Sequence, residues 1–202
     1  RILKNPESIS LAISKPAAGL TQNAYMTYDN QKIKLIREVL KEKKQSHILI
    51  FSSSIKSVKE ITKTLNKAGM KVSEMHSGLQ QEKREQTIRD FKNKKIKILV
   101  ATDILSRGID IKGIELVINY EVPNDAEDYI HRIGRTARAD RKGQAITFIN
   151  PKQIKKFMGI EKLIEKKIPK LKLPKGFSKA PDYKIYKKKK KNNNYKKPIS
   201  SK

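Results

Sequence analysis

The sequence has no cysteine and no tryptophan, and carboxylates are scarce among its 202 residues. The absence of cysteine excludes disulfides and thiolate metal sites. The three histidines (His47, His76 and His131) are far apart and show no metal-ligand spacing, so we predict no metal site. No apolar run approaches the roughly 20 residues of a membrane span, and no signal peptide is visible. We therefore expect a cytoplasmic protein without a membrane partner.

Positive charge dominates what is present. Lysine and arginine number 47 against 20 aspartates and glutamates, which gives a formal net charge of +27. From Pro151 onward there are 19 basic and 3 acidic residues, so the last quarter carries more than half of the net charge. Such a balance predicts a polyanionic partner, either nucleic acid or an anionic membrane face. Nucleic acid is favoured, because the basic tail has few large apolar residues at helical spacing.

Short apolar runs alternate with helical patterns through the middle of the chain. The predicted strands are 47–51, 72–75, 96–100, 116–120 and 144–149, and the predicted helices are 31–43, 55–67, 80–91, 126–133 and 151–166. Asp125 is the predicted N-cap of the fourth helix. Alternating strands and helices indicate an α/β fold with a mostly parallel sheet that is flanked by helices on both faces.

Three regions follow from this pattern. Residues 1–30 are predicted to be an extended lead-in from a missing first domain, because the chain begins with Arg1 and so looks like part of a longer protein. Residues 31–168 are the predicted domain. Residues 169–202 are predicted to be a disordered, lysine-rich tail, since such a segment cannot bury enough apolar surface to offset its loss of entropy on ordering.

The tail includes five consecutive lysines at 187–191 and three interleaved tyrosines (Tyr183, Tyr186 and Tyr195). Lysines and aromatic rings together suit nonspecific RNA tethering by counterion release and base stacking. The alternative is a lysine tract that only adds solubility.

Small polar residues follow several predicted strands. Ser52, His76 to Gly78, and Thr102 come directly after apolar runs. Ligands in a parallel sheet bind beyond the carboxyl ends of the strands, so these residues are predicted to line one site. The alternative is that they are ordinary loop formers and helix caps.

Two further pairs are ambiguous by residue type alone. Gln81 and Arg84 are spaced to point the same way from the start of a helix, which suits a phosphate oxygen; a solvated helix face is the alternative. Asp110, two residues after Gly108, could accept hydrogen bonds from ribose hydroxyls, or it could pair with Arg107.

The run HRIGRTAR at 131–138 is the most distinctive segment. Its arginines, Arg132, Arg135 and Arg138, lie at i, i+3 and i+6, which on a helix or tight turn would place them on roughly one face. Arginine's planar guanidinium suits bidentate contact with phosphate, so this face is predicted to meet an anion. A solvated basic surface is the alternative.

Taken in order, these segments resemble the second RecA-like domain of a DEAD-box ATP-dependent RNA helicase of bacterial type, over about residues 1–165. The similar segments are ILIFSSS at 48–54 (motif IV), HSGLQQEKR at 76–84 (the Gln-x-x-Arg segment), ATDILSRGID at 101–110 (motif V), VINYEVP at 117–123, and HRIGRTAR at 131–138 (motif VI). The histidine that begins the last segment is typical of the RNA branch of these motors.

The resemblance implies a role for each matching residue. Arg138 and Arg135 would reach the γ-phosphate of ATP, with Arg138 as the arginine finger, and His131 would couple two domains. Asp110 and Gly108 would contact ATP. The implied RNA-backbone contacts are Arg84, Gln81 (in support of Arg84), Thr102, Gly108, Ser52 and Gly78. Little RNA sequence preference is expected from such contacts.

The chain lacks a phosphate loop and an Asp-Glu-Ala-Asp motif. In the family, both lie in a preceding domain, which would hold most of the ATP and Mg²⁺. We therefore expect a monomeric, ATP-dependent RNA helicase as the parent and an isolated chain that is inactive. Two alternatives stay open: a catalytically incomplete RNA-binding module, and a DNA-directed motor of the same superfamily.

One residue departs from the resembled pattern. Ala137 stands where the family usually has glycine. On a helical backbone alanine would be tolerated, whereas at positive φ it would strain the loop. We expect the helical, harmless case.

Overall fold

The computed structural model describes residues 19–41, 45, 47–103, 111, 113–137 and 142–185. In this part of the chain, seven parallel strands form one sheet in the order β3-β4-β2-β5-β6-β1-β7. The strands are β1 Leu20–Met26, β2 Ile48–Phe51, β3 Val72–Met75, β4 Ile98–Ala101, β5 Leu116–Asn119, β6 Gly143–Ile149 and β7 Lys170–Leu171. The fold is the predicted α/β, RecA-like arrangement.

Five α-helices connect and cover these strands within the described residues. They are α1 Lys32–Lys41, α2 Ile55–Lys67, α3 Gln81–Lys92, α4 Ala126–Ile133 and α5 Ile154–Leu163. A short 3-10 helix precedes α1 (Asp29–Gln31) and another precedes α5 (Pro151–Gln153). The predicted helix at 151–166 therefore begins with a 3-10 turn. Asp125 is the N-cap residue of α4, as predicted, but its side chain makes no capping hydrogen bond.

The central strands β2, β4 and β5 are buried on both faces because they are almost wholly apolar. In β2, Ile48 and Ile50 pack in a cluster with α1 and α2, whereas Leu49 and Phe51 pack in a cluster with α3. On the β1 and β6 side of that second face, a further cluster joins the sheet to α4 and α5. This two-sided burial is why the strands appear in the sequence as continuous apolar runs and not as alternating ones.

The predicted start of the domain at residue 31 is wrong, because residues 20–26 of the extended lead-in belong to its sheet. These residues form β1, which pairs with β6 along its whole length. The polar residues in LTQNAYM hid the strand. Gln22 is buried, and its amide oxygen accepts a hydrogen bond from the Tyr129 hydroxyl at 2.9 Å. Residues 1–18 lie outside the described residues.

A disordered tail from residue 169 is also wrong for residues 169–185. We call these residues the strap. Its first part adds β7 to the edge of β1, and Phe177 packs against the α1 side of the core, with Lys34 Nζ 4.7 Å from the centre of its ring. Tyr183 packs on Phe157 of α5. Residues 186–202 lie outside the described residues.

A buried carboxylate fastens the strap. Glu161 of α5 accepts hydrogen bonds from the Ile168 N–H at 2.7 Å, from the Tyr183 hydroxyl at 2.8 Å and from Lys170 Nζ. Burial alone would raise the pKa of Glu161, but these hydrogen bonds and the Lys170 charge outweigh it and hold that pKa below its usual value. The buried charge of Glu161 is therefore compensated in part by Lys170 and Tyr183 of the strap.

We predict that a chain ending at Ile168 is destabilised by about 3–5 kcal/mol, because it leaves the Glu161 charge buried with too few partners. That loss corresponds to a fall in Tm of about 10 °C. Thermal unfolding followed by circular dichroism measures it. A chain ending at Ile185 is the control and should unfold like the full chain. Equal Tm values for the two shortened chains would contradict a structural role for the strap.

Candidate functional site at the carboxyl edge of the sheet

The predicted site residues that the structure describes follow the carboxyl ends of neighbouring strands or lie on the helices that begin or end there. Thr102 comes directly after β4, and its N–H donates to the Met75 carbonyl at the end of β3 at 3.1 Å. Gly78 is exposed in the loop after β3, and its N–H donates to His76 Nδ1 at 3.2 Å. Parallel strands bring these loops to one edge, as the sequence predicts.

Gln81 and Arg84 lie on the first turn of α3 at this edge. The Gln81 amide donates to Glu85 Oε1 at 2.9 Å, and its support of Arg84 stays a prediction. Arg84 is half-buried, and its Nε has no hydrogen-bond partner among the described residues. A buried guanidinium N–H without an acceptor is costly, so an anionic acceptor from outside the chain would suit this position.

Ser52 behaves differently from the prediction of a direct RNA contact. Its side chain is fully buried, and its hydroxyl donates to Glu121 Oε1 at 3.3 Å. The neighbouring Ser53 is exposed, and its N–H donates to Glu121 Oε2 at 3.0 Å. Burial raises the pKa of Glu121, partly offset by the Ser53 hydrogen bond and nearby Lys32. Glu121 thus ties the loop after β2 to the loop after β5.

Arg132 is not part of an anion-binding face. It is buried, and its guanidinium forms a bidentate pair with Asp103, with Nε and Nη2 each 2.7 Å from a carboxylate oxygen. Its Nη1 donates to Asn119 Oδ1 at 3.3 Å and to the Glu121 carbonyl at 3.5 Å. The ring of Phe51 lies 5.1 Å from Cζ. Arg132 therefore does not contribute to the predicted anion-binding face.

The arginine spacing does not continue along one helix. Helix α4 ends at Ile133, with Gly134 as its C-cap, so Arg135 lies past the last turn of the helix. His131 is exposed and Arg135 is half-buried, and the next residue, Thr136, pairs with Ile114 just before β5 begins. Sequence spacing could have found the inward position of Arg132, because it lies between the buried residues Tyr129 and Ile133 on the apolar side of α4. Its partner Asp103 carried no such signal.

Ala137 has a left-handed backbone, with φ of 56°. The expectation of a helical position is therefore wrong. Thr136 is held in place by a 2.6 Å hydrogen bond from its hydroxyl to the Ile114 carbonyl. A side chain on Gly143 would lie 2.5 Å from the Ala137 nitrogen and closer still to Thr136 Oγ1. The turn is wedged between two neighbouring segments, which imposes the strained φ on alanine.

Three predicted site residues lie outside the described residues: Gly108, Asp110 and Arg138. No group of three or more His, Asp or Glu side chains that could hold a metal occurs among the residues that are described. No helix in the described ranges is long and apolar enough to cross a membrane.

Residues 31–140 match the family of the helicase conserved C-terminal domain. This chain belongs to that family. The chain is 30% identical to the C-terminal domain of the DEAD-box protein Dbp5, with a TM-score of 0.71 over 75% of this chain and 89% of that one. The family match therefore extends to the DEAD-box type of helicase C-terminal domain.

Two longer relatives show how much of a helicase this domain represents. A probable ATP-dependent RNA helicase of Methanocaldococcus jannaschii is 42% identical over 159 residues, which cover 79% of this chain but 43% of the relative. A structure of Dbp5 from S. cerevisiae bound to RNA and ADP BeF3 is 28% identical, with a TM-score of 0.72, and covers 77% of this chain and 42% of that one. The helicase domain thus spans less than half the length of these relatives.

We predict that Arg132→Lys destabilises this helicase domain by about 2 kcal/mol, because one ammonium group cannot replace a bidentate guanidinium that also reaches Asn119. The expected fall in Tm is about 4–8 °C. Arg37→Lys on the exposed side of α1 is the matched control and should change Tm by less than about 1 °C. Equal shifts for the two variants would refute the proposed importance of the buried pair.

We predict that Ala137→Gly stabilises the domain by about 0.5–1 kcal/mol, because glycine relieves the strain at positive φ by more than it adds unfolded-state entropy. Ala68→Gly is the control. Ala68 has φ of −87°, so glycine there should be neutral or destabilising. Urea unfolding measures the free energy of unfolding of both variants, provided that its dependence on urea concentration has the same slope in each. A lower stability for Ala137→Gly would show that the turn is not strained.

Proposed function

We propose that this domain supplies the RNA-backbone contacts and the arginine fingers of an ATP-dependent RNA helicase. A second RecA-like domain of the parent would hold the phosphate loop and most of the ATP and Mg²⁺. The observation that carries the proposal is the carboxyl edge shared by β3 and β4, where Thr102, Gly78 and Arg84 lie, with Arg135 half-buried just past the end of α4. The relative that binds RNA and ADP BeF3 has this same fold, which supports the assignment.

Each of the ATP-site residues has a chemical task in this proposal. Arg135 and Arg138 approach the γ-phosphate across the interface with the other domain and stabilise negative charge as phosphoryl transfer proceeds. Asp110 and Gly108 hold the ribose side of ATP. His131, which is exposed on the last turn of α4, lies where it can contact the other domain and report RNA binding to the ATP site.

The RNA side of the proposal uses neighbouring loops. Arg84 offers its Nε to a phosphate oxygen, and Gly78 and Thr102 let the sugar-phosphate backbone approach closely. Ser53 is exposed where Ser52 is buried, so Ser52 acts by holding Glu121 and Ser53 is the better surface contact. Gln81 stays a candidate through its exposed position on α3. Contacts of this kind read the backbone and not the bases, so binding is sequence-nonspecific.

The described residues do not provide a carboxylate cluster for Mg²⁺, and the sequence has no phosphate loop. We therefore propose that the isolated chain is inactive as an ATPase. We also propose that the parent protein is monomeric and cytoplasmic. RNA-stimulated ATP turnover by the chain alone would contradict the division of the site between two domains.

In the parent protein, Arg138→Lys should lower RNA-stimulated ATP turnover by about 10³-fold, the lower end of the range for an arginine finger, while RNA affinity is kept. Arg84→Gln should weaken RNA binding, while ATP turnover at saturating RNA is kept. Arg89→Gln is the control, since this exposed arginine of α3 contacts Glu85 and Gln86 on its own helix.

Steady-state ATPase assays with RNA titration separate these effects as kcat and as the RNA concentration for half-maximal rate. Turnover unchanged by Arg138→Lys would favour a binding module with vestigial catalysis. Equal stimulation by DNA would favour a DNA-directed motor.

A further inference from the structure

The outward face of α5 carries lysines and no carboxylate. Lys155, Lys156 and Lys162 are exposed on it, and Lys152 is exposed in the 3-10 turn before it. The one acidic residue of α5, Glu161, points inward and is buried. We call Lys152, Lys155, Lys156, Gly159 and Lys162 the lysine face.

Helices α1 and α3 pair basic side chains with carboxylates on their own surface, and α2 carries one exposed carboxylate, Glu60, among its lysines. In α1, Lys41 Nζ lies 2.9 Å from Glu38, and in α3, Arg89 Nη1 lies 3.8 Å from Glu85. Lys155 and Lys156 lie three and four residues after Lys152, and none of the three has an acidic side chain at i±3 or i±4, so their like charges repel along the helix. Lys162 has the exposed Glu165 at i+3, just past the end of α5. A polyanion would relieve that repulsion.

Gly159 sits in the middle of the lysine face. It is exposed inside an α-helix, and a side chain there would meet nothing within 4 Å. Packing therefore does not require glycine, and helix stability disfavours it relative to alanine. A bare backbone between lysines does allow a phosphate chain to approach the helix closely.

The lysine face also lies next to the site already described. The 3-10 turn that carries Lys152 follows the carboxyl end of β6, and Lys156 Nζ donates to Asn124 Oδ1 at 2.6 Å in the loop between β5 and α4. At the other end of α5, Tyr183 of the strap donates to Glu161. The lysine tract at 187–191 thus follows in sequence from a residue fixed on α5.

We propose that the lysine face of α5 is a second RNA-backbone-binding surface, which holds RNA flanking the segment bound at the carboxyl edge of the sheet. The ligand class is a sugar-phosphate chain, read through its charge. This inference rests on the proposed function for the choice of RNA as the polyanion. It adds a surface that none of the resembled motifs includes.

The test compares two triple variants of the full chain that remove the same charge. Lys155→Gln, Lys156→Gln and Lys162→Gln change the lysine face. Lys59→Gln, Lys63→Gln and Lys67→Gln change exposed lysines of α2, whose surface also carries Glu60. Binding of a fluorescent RNA hairpin with a single-stranded extension is measured at several KCl concentrations.

The α5 triple variant should lose about ten-fold or more in affinity at low salt, and the slope of log K against log[KCl] should fall by about 2–3, as expected for about three lost phosphate contacts. The α2 triple variant should change affinity by less than about two-fold. Equal losses in both variants would reduce the effect to net charge and overturn the proposal, as would no loss in the α5 variant.

A single position gives an independent check. Gly159→Glu should weaken hairpin binding, whereas Gly159→Ala should bind more like the wild type, because alanine adds little bulk and no charge. Equal binding by the two variants would overturn the proposal.

The inference and the proposed function can fail separately. In the parent, the α5 triple variant should raise the RNA concentration needed for half-maximal ATPase rate while kcat at saturating RNA is kept. If Arg138→Lys left kcat of the parent unchanged, the proposed function would be wrong, whatever the result for the α5 variant. Capture of the wild-type chain by phosphatidylserine vesicles, with no measurable RNA binding, would replace RNA by a membrane and overturn the inference.

Discussion

The buried guanidinium of Arg132 organises the functional edge of this domain. A charge that is removed from water is tolerated only where hydrogen bonds replace the lost hydration. Arg132 meets that requirement with groups that follow two different strands, namely the Asp103 carboxylate after β4 and the Asn119 and Glu121 oxygens at the end of β5. Satisfying one side chain therefore fixes the relative positions of α4 and these loops.

The same requirement extends across the edge. Glu121, whose carbonyl faces Arg132, uses its carboxylate to hold Ser52 and the Ser53 N–H after β2. Helix α4 ends beside this network, and Arg135 and the strained turn at Ala137 follow directly. A polar network of this kind is stiff because leaving any member unpaired is costly. The groups proposed to meet phosphate are thus placed by neighbours that meet only protein.

Buried and exposed charges of this domain differ in how they are compensated. The buried carboxylate of Glu161 and the buried guanidinium of Arg132 are both compensated within the fold. The uncompensated lysines lie outside, and they are concentrated where α5 and the strap meet solvent. The strap itself is held by a charge inside α5, because Tyr183 and Lys170 both donate to Glu161.

The sequence alone determined the helices and most strands, because each buried strand is an apolar run and each helix has a periodic apolar face. It also determined that Thr102, Gly78 and Arg84 meet at one edge, since parallel connectivity requires it. Tertiary structure decided the rest. Strand β1 and the strap are too polar to show their burial locally, and their stability comes from pairing with β6 and from Glu161. The inward turn of Arg132 and the positive φ of Ala137 depend on Asp103, Ile114 and Gly143, which are distant in sequence and become neighbours only in the folded chain.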